Sequence, residues 1–280
     1  VRREVVPALE KMGMRIEASH HEVAPGQHEI DFRYGPSITQ ADSVITYKNA
    51  IKTIANKYNL FASFMPKPVQ GINGSGMHVH QSLWHEGKNA FFEDSDEYGL
   101  SKVAYGFIAG QLMHSRALSA IIAPTVNSYK RLVPGYEAPV YICWGGHNRS
   151  ALIRVPARIH GREKATRAEL RCPDPSCNPY LAFAAMLAAG LDGIKRNLEP
   201  PEPVEENVYH FDESARVGKD IKSLPASIRE AMDELEQDDV LKNALGEFTH
   251  HALTNLQQTE YDAYRTQVTK WEIEHYLSRI

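Results

Sequence analysis

Residues 67–83, KPVQGINGSGMHVHQSL, constrain this chain more than any other stretch. Gly71, Gly74 and Gly76 surround Asn73 and Ser75. Glycine tolerates backbone conformations closed to other residues, so this loop can bring bare backbone up to a ligand. From Met77 the residues alternate, and a strand there places His78, His80 and Ser82 on one face with Met77, Val79 and Leu83 nearer the other. Two histidines on an isolated strand also fit a plain solvated face, so the reading depends on what the rest of the chain supplies.

A hairpin upstream supplies carboxylates. Residues 14–24 and 27–34 alternate as two strands around Pro25-Gly26, a turn-forming pair. A two-residue loop sets Ala24 opposite Gln27 and Glu22 opposite Glu29, with Cβ atoms about 5 Å apart. Like charges so placed repel, and a divalent cation with oxygen ligands is the simplest compensation. Exposed glutamates at a hairpin mouth are the alternative.

Two later stretches supply cations. In residues 127–156 a Pro134-Gly135 turn separates Arg131 from Glu137, and Arg149 and Arg154 flank a short strand. The planar arginine fork matches two oxygens and keeps its charge, so this set suits an anionic substrate. In residues 166–179 alternation puts Arg167, Glu169 and Arg171 on one strand face. They form either a salt-bridge ladder or a site in which Glu169 holds a cation and the arginines hold the anion it serves.

Helical spacing marks residues 1–12, capped by Gly13, then 42–58 and 102–120. Asn178 as N-cap and Pro179 at the first helical position start a buried helix to about residue 197. Helices follow at 224–235, 239–245 and 247–266, and a Thr269/Glu272 capping box opens the last, 270–280. Residues 84–101 read as a solvated acidic loop, and the Pro- and Glu-rich segment after Glu199 as a surface connector. The order is α+β, a helical layer over a sheet built from the earlier segments.

A net charge of −4 without a long basic run argues against a nucleic-acid surface. The most apolar stretch, residues 180–191, falls short of the roughly 20 residues needed to cross a bilayer. Cys143, Cys172 and Cys177 are a sparse, odd set that fits a reducing cytoplasm and structural thiols rather than a disulfide scaffold or a zinc site. The chain opens in the middle of a helix without an initiator methionine, as if its beginning lay upstream.

Taken together, these stretches resemble glutamine synthetase, closest to the bacterial and archaeal type I enzymes. KPVQGINGSGMHVHQSL, NSYKRLVPGYEAPVYICWGGHNRSALIRVP and RAELRCPDPSCNPYLAFAA look like that family's signatures, SHHEVAPGQHEI looks like its metal-binding hairpin, and the likeness runs along essentially the whole chain. The seven-residue step from Glu22 to Glu29 resembles the feedback-regulated subdivision. Tyr209 sits where other relatives are adenylylated.

The resemblance implies a curved antiparallel sheet, an open half-barrel flanked by helices. It implies one catalytic domain over residues 1–280, with 199–280 its helical C-terminal part and the small N-terminal β-grasp domain and first metal-ligand strand missing. The implied assembly is a homo-oligomer of two stacked hexameric rings with active sites shared between neighbours. The implied reaction is ATP-dependent ligation of ammonium to L-glutamate, with two or more Mg²⁺ or Mn²⁺ ions per site. By resemblance Glu22 and Glu29 bind one cation, and His78 and Glu169 another. Asn73, Gly74 and Arg131 hold the glutamate, and Glu137 is the flap residue that helps deprotonate ammonium. Arg149 and Arg171 steady the γ-carboxylate and the transferred phosphate. Glu17, His80, Ser82, Arg149, Arg154 and Arg167 line the nucleotide side, with Lys164 a further candidate. Other readings are a glutamate–amine ligase on the same scaffold, a non-catalytic derivative, and an unrelated metalloprotein.

Overall fold

A computed structural model describes residues 1–159 and 161–280. Helix α1 (Arg2–Lys11) ends where Gly13 adopts φ +89°, and strands β1 (Ile16–His21) and β2 (His28–Phe32) form the expected hairpin. Helix α2 (Ser37–Asn56) starts five residues earlier than its periodicity suggests, directly after Pro36, whose ring pre-sets the entry. Val5, Leu9 and Met14 pack with Ala50 and Ile54 as a small apolar cluster under this hairpin.

The hairpin register differs from the expectation. Gln27 N–H donates to the Ala24 carbonyl across Pro25-Gly26, but the ladder closes with Glu22 N–H on the Gln27 carbonyl, so Glu29 faces His20 instead of Glu22. A Pro-Gly turn of this hand does not match the twist of the strands, and Val23 and Ala24 join the loop to absorb the mismatch. A bulge at Glu17, between Ile16 and Ala18, adds a second irregularity.

Strand β3 (Val79–Gln81) is shorter than its alternation allows, and the following segment holds a small hairpin of β4 (Trp84–His85) and β5 (Lys88–Asn89). That segment is not merely solvated. Phe91 and Leu100 are fully buried, and the Asp96 carboxylate accepts the N–H groups of Tyr98 and Leu100 and the Tyr105 hydroxyl. The single helix expected over residues 102–120 is two, α3 (Lys102–Met113) and α4 (Ser115–Ile122), bent at His114.

After the short α5 (Ser128–Arg131) come β6 (Tyr141–Gly145), β7 (Ala151–Arg154) and β8 (Ala168–Leu170). The main sheet has the order β3-β8-β7-β6. Its β3–β8 and β8–β7 pairs are antiparallel, but β6 and β7 run parallel, which corrects the all-antiparallel sheet. The reversal needs only residues 146–150 because Gly145 and Gly146 lie where a Cβ would meet Val204 and Tyr98, and Asn148 donates to the carbonyls of Val204 and Glu206.

Helix α6 (Pro179–Lys195) takes the expected Asn178 cap. It seats on α3 through Gly106, Gly110 and Gly193, so closely that a Cβ on Gly110 would lie 2.2 Å from the Ala189 carbonyl oxygen. Its outer side is open at Leu187. The connector after Glu199 is pinned inward by buried Val204 and Val208. Helices α7 (Glu213–Gly218), α8 (Ile228–Glu236), α9 (Asp239–Leu245), α10 (Glu247–Arg265) and α11 (Lys270–Tyr276) complete the chain, the last with the expected capping box. The main apolar core runs from α3 and α4 through the sheet into α6, α8 and α9. Among the described residues no helix is long and apolar enough to cross a membrane.

Candidate active site

The main sheet assembles its charges around Glu169. The β3–β8 ladder sets His80 opposite it and the β7–β8 ladder sets Arg154 opposite it. Only 2% of Glu169 is exposed. Arg154 Nε lies 2.5 Å from one carboxylate oxygen, and His78 Nδ1 lies 3.2 Å and Arg171 Nε 3.6 Å from the other. Burial opposes the charge, yet the hydrogen bond from His78 and the fields of His80, His78 and Arg154 hold the carboxyl down at about 2. Burial pushes His80 down to about 4. Arg167 Nε donates to His80 Nδ1 at 2.9 Å, which fits a neutral ring protonated on Nε2. Glu17, on the β1 bulge, adds its field to Arg167.

Arg171 is buried, and its Nε and Nη1 find no hydrogen-bond partner among the described residues. A buried guanidinium with open donors costs free energy unless an anion fills them. Beside it, His78 and Glu169 offer an imidazole nitrogen and a carboxylate oxygen, a donor set that suits a divalent cation. A candidate anion site and a candidate cation site therefore adjoin.

The hairpin carries a second donor cluster. Ligand atoms of His20, Glu22 and Glu29 all lie within 4.8 Å of one another. His20 Nε2 is 2.8 Å from Glu22 and 3.9 Å from Glu29. Burial, reinforced by Asp31 and Glu22, pushes the Glu29 carboxyl up to about 8, whereas hydrogen bonds outweigh burial at Glu22 and lower its pKa. A carboxylate pair that resists double ionisation fits a cation. Reading the sequence missed His20; its signal was the alternation with Glu22 along one strand face.

The glycine loop ties these parts together. Gln27, at the hairpin tip, donates to the Gly74 carbonyl at 3.0 Å and the Ser75 hydroxyl at 3.1 Å. A side chain at Gly74 would lie 2.3 Å from the Pro66 carbonyl oxygen, so only glycine fits. Arg131 packs along Gly74 and Gly76, and its terminal nitrogens donate to the carbonyls of Cys172 and Arg171. It bridges the loop to the end of β8 as a buried strut. Asn73 Nδ2 donates to Glu137 at 2.8 Å, and Glu137 holds a φ of +57°, strained for a residue with a side chain.

The remaining predicted residues lie nearer solvent. Arg149 is exposed in the loop between β6 and β7. Ser82 accepts the Trp84 indole N–H at 3.0 Å. Lys164 lies exposed in the 3₁₀ turn Glu163–Ala165. All three cysteines are free and buried.

The family model described as glutamine synthetase, catalytic domain, matches residues 1–276. The glutamine synthetase of Methanocaldococcus jannaschii is 55% identical over 278 residues, covering 99% of this chain and 61% of that protein. That of Thermotoga maritima is 55% identical over 277 residues, 99% of this chain and 62% of that protein. Among solved structures, a GmaS/ADP complex superposes with a TM-score of 0.90 at 36% identity, covering 99% of this chain and 63% of that one. Plasmodium falciparum glutamine synthetase superposes with a TM-score of 0.87 at 30% identity, covering 98% and 60%. The chain thus spans about three-fifths of the length of these relatives.

Proposed function

The chain belongs to the glutamine synthetase family, and from that premise we propose that the protein joins ammonia to the γ-carboxylate of L-glutamate at the expense of ATP, forming glutamine through γ-glutamyl phosphate. The observation that carries this reading is Arg171, a buried cation with open donors next to the Glu169–His78 pair. Phosphoryl transfer to a carboxylate gathers negative charge, and such a juxtaposition of anion and cation sites suits it.

Glu22 and Glu29 would hold one Mg²⁺ or Mn²⁺ and His78 and Glu169 another, and such ions supply neutralisation of phosphate charge. Asn73 and the Gly74 backbone orient the amino-acid end of glutamate, with Arg131 holding the loop and adding its charge. Arg149 and Arg171 steady the γ-carboxylate and the transferred phosphate. Glu17, His80, Ser82, Arg149, Arg154, Arg167 and Lys164 line the nucleotide side. Glu137 sits on a flap beside Asn73, placed to take a proton from bound ammonium and to keep water from the acyl phosphate. The same reading covers a curved, open half-barrel sheet, a cytoplasmic location, and an assembly of two stacked hexameric rings with shared active sites.

The test is phosphate release from Mg-ATP and glutamate by the full-length protein, with ammonium, with methylamine or putrescine, and with no amine. Release that depends on ammonium supports the proposal. Release that depends on the organic amine replaces it with a glutamate–amine ligase, and no release with any amine favours a non-catalytic role.

A further inference from the structure

Besides Arg131, which packs along Gly74 and Gly76, two contacts among the described residues join the glycine loop to the tip of the flap of residues 131–137. One link, Asn73 to Glu137, lies inside the candidate site, where a bound substrate would compete for the Asn73 side chain. The other is made by Lys67. Its backbone N–H donates to Asn127 Oδ1 at 2.8 Å and its carbonyl accepts from Asn127 Nδ2 at 3.0 Å, which anchors its main chain to the approach to α5. Its ammonium group donates to the carbonyl of Ile72, the residue before Asn73. The same group lies 3.7 Å from the centre of the Tyr136 ring, the residue before Glu137. A single cation therefore touches the immediate neighbours of both site residues.

The chemistry of this link suits a moving part. A cation over an aromatic face is held by the ring quadrupole, without the strict directionality of a hydrogen bond, so the ring can slide while attached. Glu137 carries a strained backbone, and such a conformation persists only where its surroundings hold it. We propose that Lys67 is a positioning residue that fastens the flap to the glycine loop and holds Glu137 over Asn73 when substrate has displaced their direct contact. The proposal rests on residues 131–137 being the flap of an ammonia ligase, and its test separates the two.

Hydrogen exchange of residues 133–137 is compared in the full-length protein, Lys67→Met and Lys67→Arg. Lys67→Met is expected to speed exchange of these amides about two- to fivefold, the order of losing one cation–π contact at an exposed site. Lys67→Arg, which keeps a cation able to stack, is expected to restore most of the protection. Tyr136→Leu removes the ring instead and should match Lys67→Met, which covers the case in which the lysine variant fails to fold. Equal protection in all variants overturns the proposal whatever the reaction is. Where ammonium-dependent turnover is present, Lys67→Met should also raise the ratio of phosphate released to glutamine formed, because a loosened flap admits water. A proportional fall of both products with an unchanged ratio would mean a purely structural residue and overturns the positioning role. Absence of turnover in the unaltered protein counts against the ligase alone, since the exchange comparison still decides the fastening.

Discussion

Arg154 Nε lies 2.5 Å from a carboxylate oxygen of Glu169, directly across the β7–β8 ladder. This contact joins a strand of the arginine-rich segment to the strand of the metal-and-anion segment. Arg154→Met would leave a buried carboxylate short of one counter-charge. The expected cost is about 2–3 kcal/mol, below the 3–5 typical of a broken buried pair because His78 and Arg171 remain beside Glu169. Urea unfolding of the two proteins measures it.

Glu137→Gln keeps the hydrogen-bonding shape beside Asn73 and removes the carboxylate proposed as the base. Ammonium-dependent phosphate release in the full-length protein should fall by about 10²–10⁴-fold, with nucleotide affinity unchanged. Steady-state kinetics together with nucleotide titration check both halves.

The His20, Glu22 and Glu29 cluster should bind a divalent cation. Mn²⁺ at about a hundredfold excess over its dissociation constant should add about 2.7 kcal/mol to stability. A Glu22→Gln, Glu29→Gln double variant should lose that contribution from this site. Thermal unfolding with and without Mn²⁺ reads the difference.

His114, at the bend between α3 and α4, donates from Nδ1 to Asp238 at 2.6 Å and from Nε2 to Asp192 at 3.0 Å. Both nitrogens face carboxylate oxygens, which favours the protonated ring. Burial works against that charge, but the two carboxylates outweigh it and raise the pKa above 6.5. A raised pKa contributes stability that is complete below the unfolded value and fades as pH rises through the folded value. His114→Gln should cost about 2–3 kcal/mol near pH 6, with the gap closing above the raised pKa. Melting curves of both proteins from about pH 5.5 to about pH 9 give the profile.

Gly110→Ala should destabilise by at least about 1–3 kcal/mol, because its Cβ would meet backbone of α6 that cannot move aside. Gly218→Ala, at the end of α7 where a Cβ meets nothing within 4 Å among the described residues, should leave stability unchanged or raise it by up to about 1 kcal/mol. Chemical denaturation of the pair separates packing from intrinsic glycine effects.

What sequence determines here is local. The Asn178-Pro179 start of α6, the capping box at Thr269, the turn at Pro25-Gly26 and the alternation of His78 with His80 follow from side-chain chemistry within a few residues, and each stands in the structure. The candidate site was legible for the same reason, since its glycine loop and charge-bearing strands are short continuous segments. Tertiary structure decided what depends on partners distant in sequence. The hairpin register, with Glu29 facing His20, balances turn twist against ladder pairing. The parallel β6–β7 pair rests on Gly145 and Gly146 packing beneath Val204 and Tyr98. The bend at His114 places its ring between carboxylates from α6 and the cap of α9. Arg131 looks in sequence like a residue on a mobile loop, yet its guanidinium is buried against the carbonyls of Arg171 and Cys172, because only the folded chain brings those acceptors within reach.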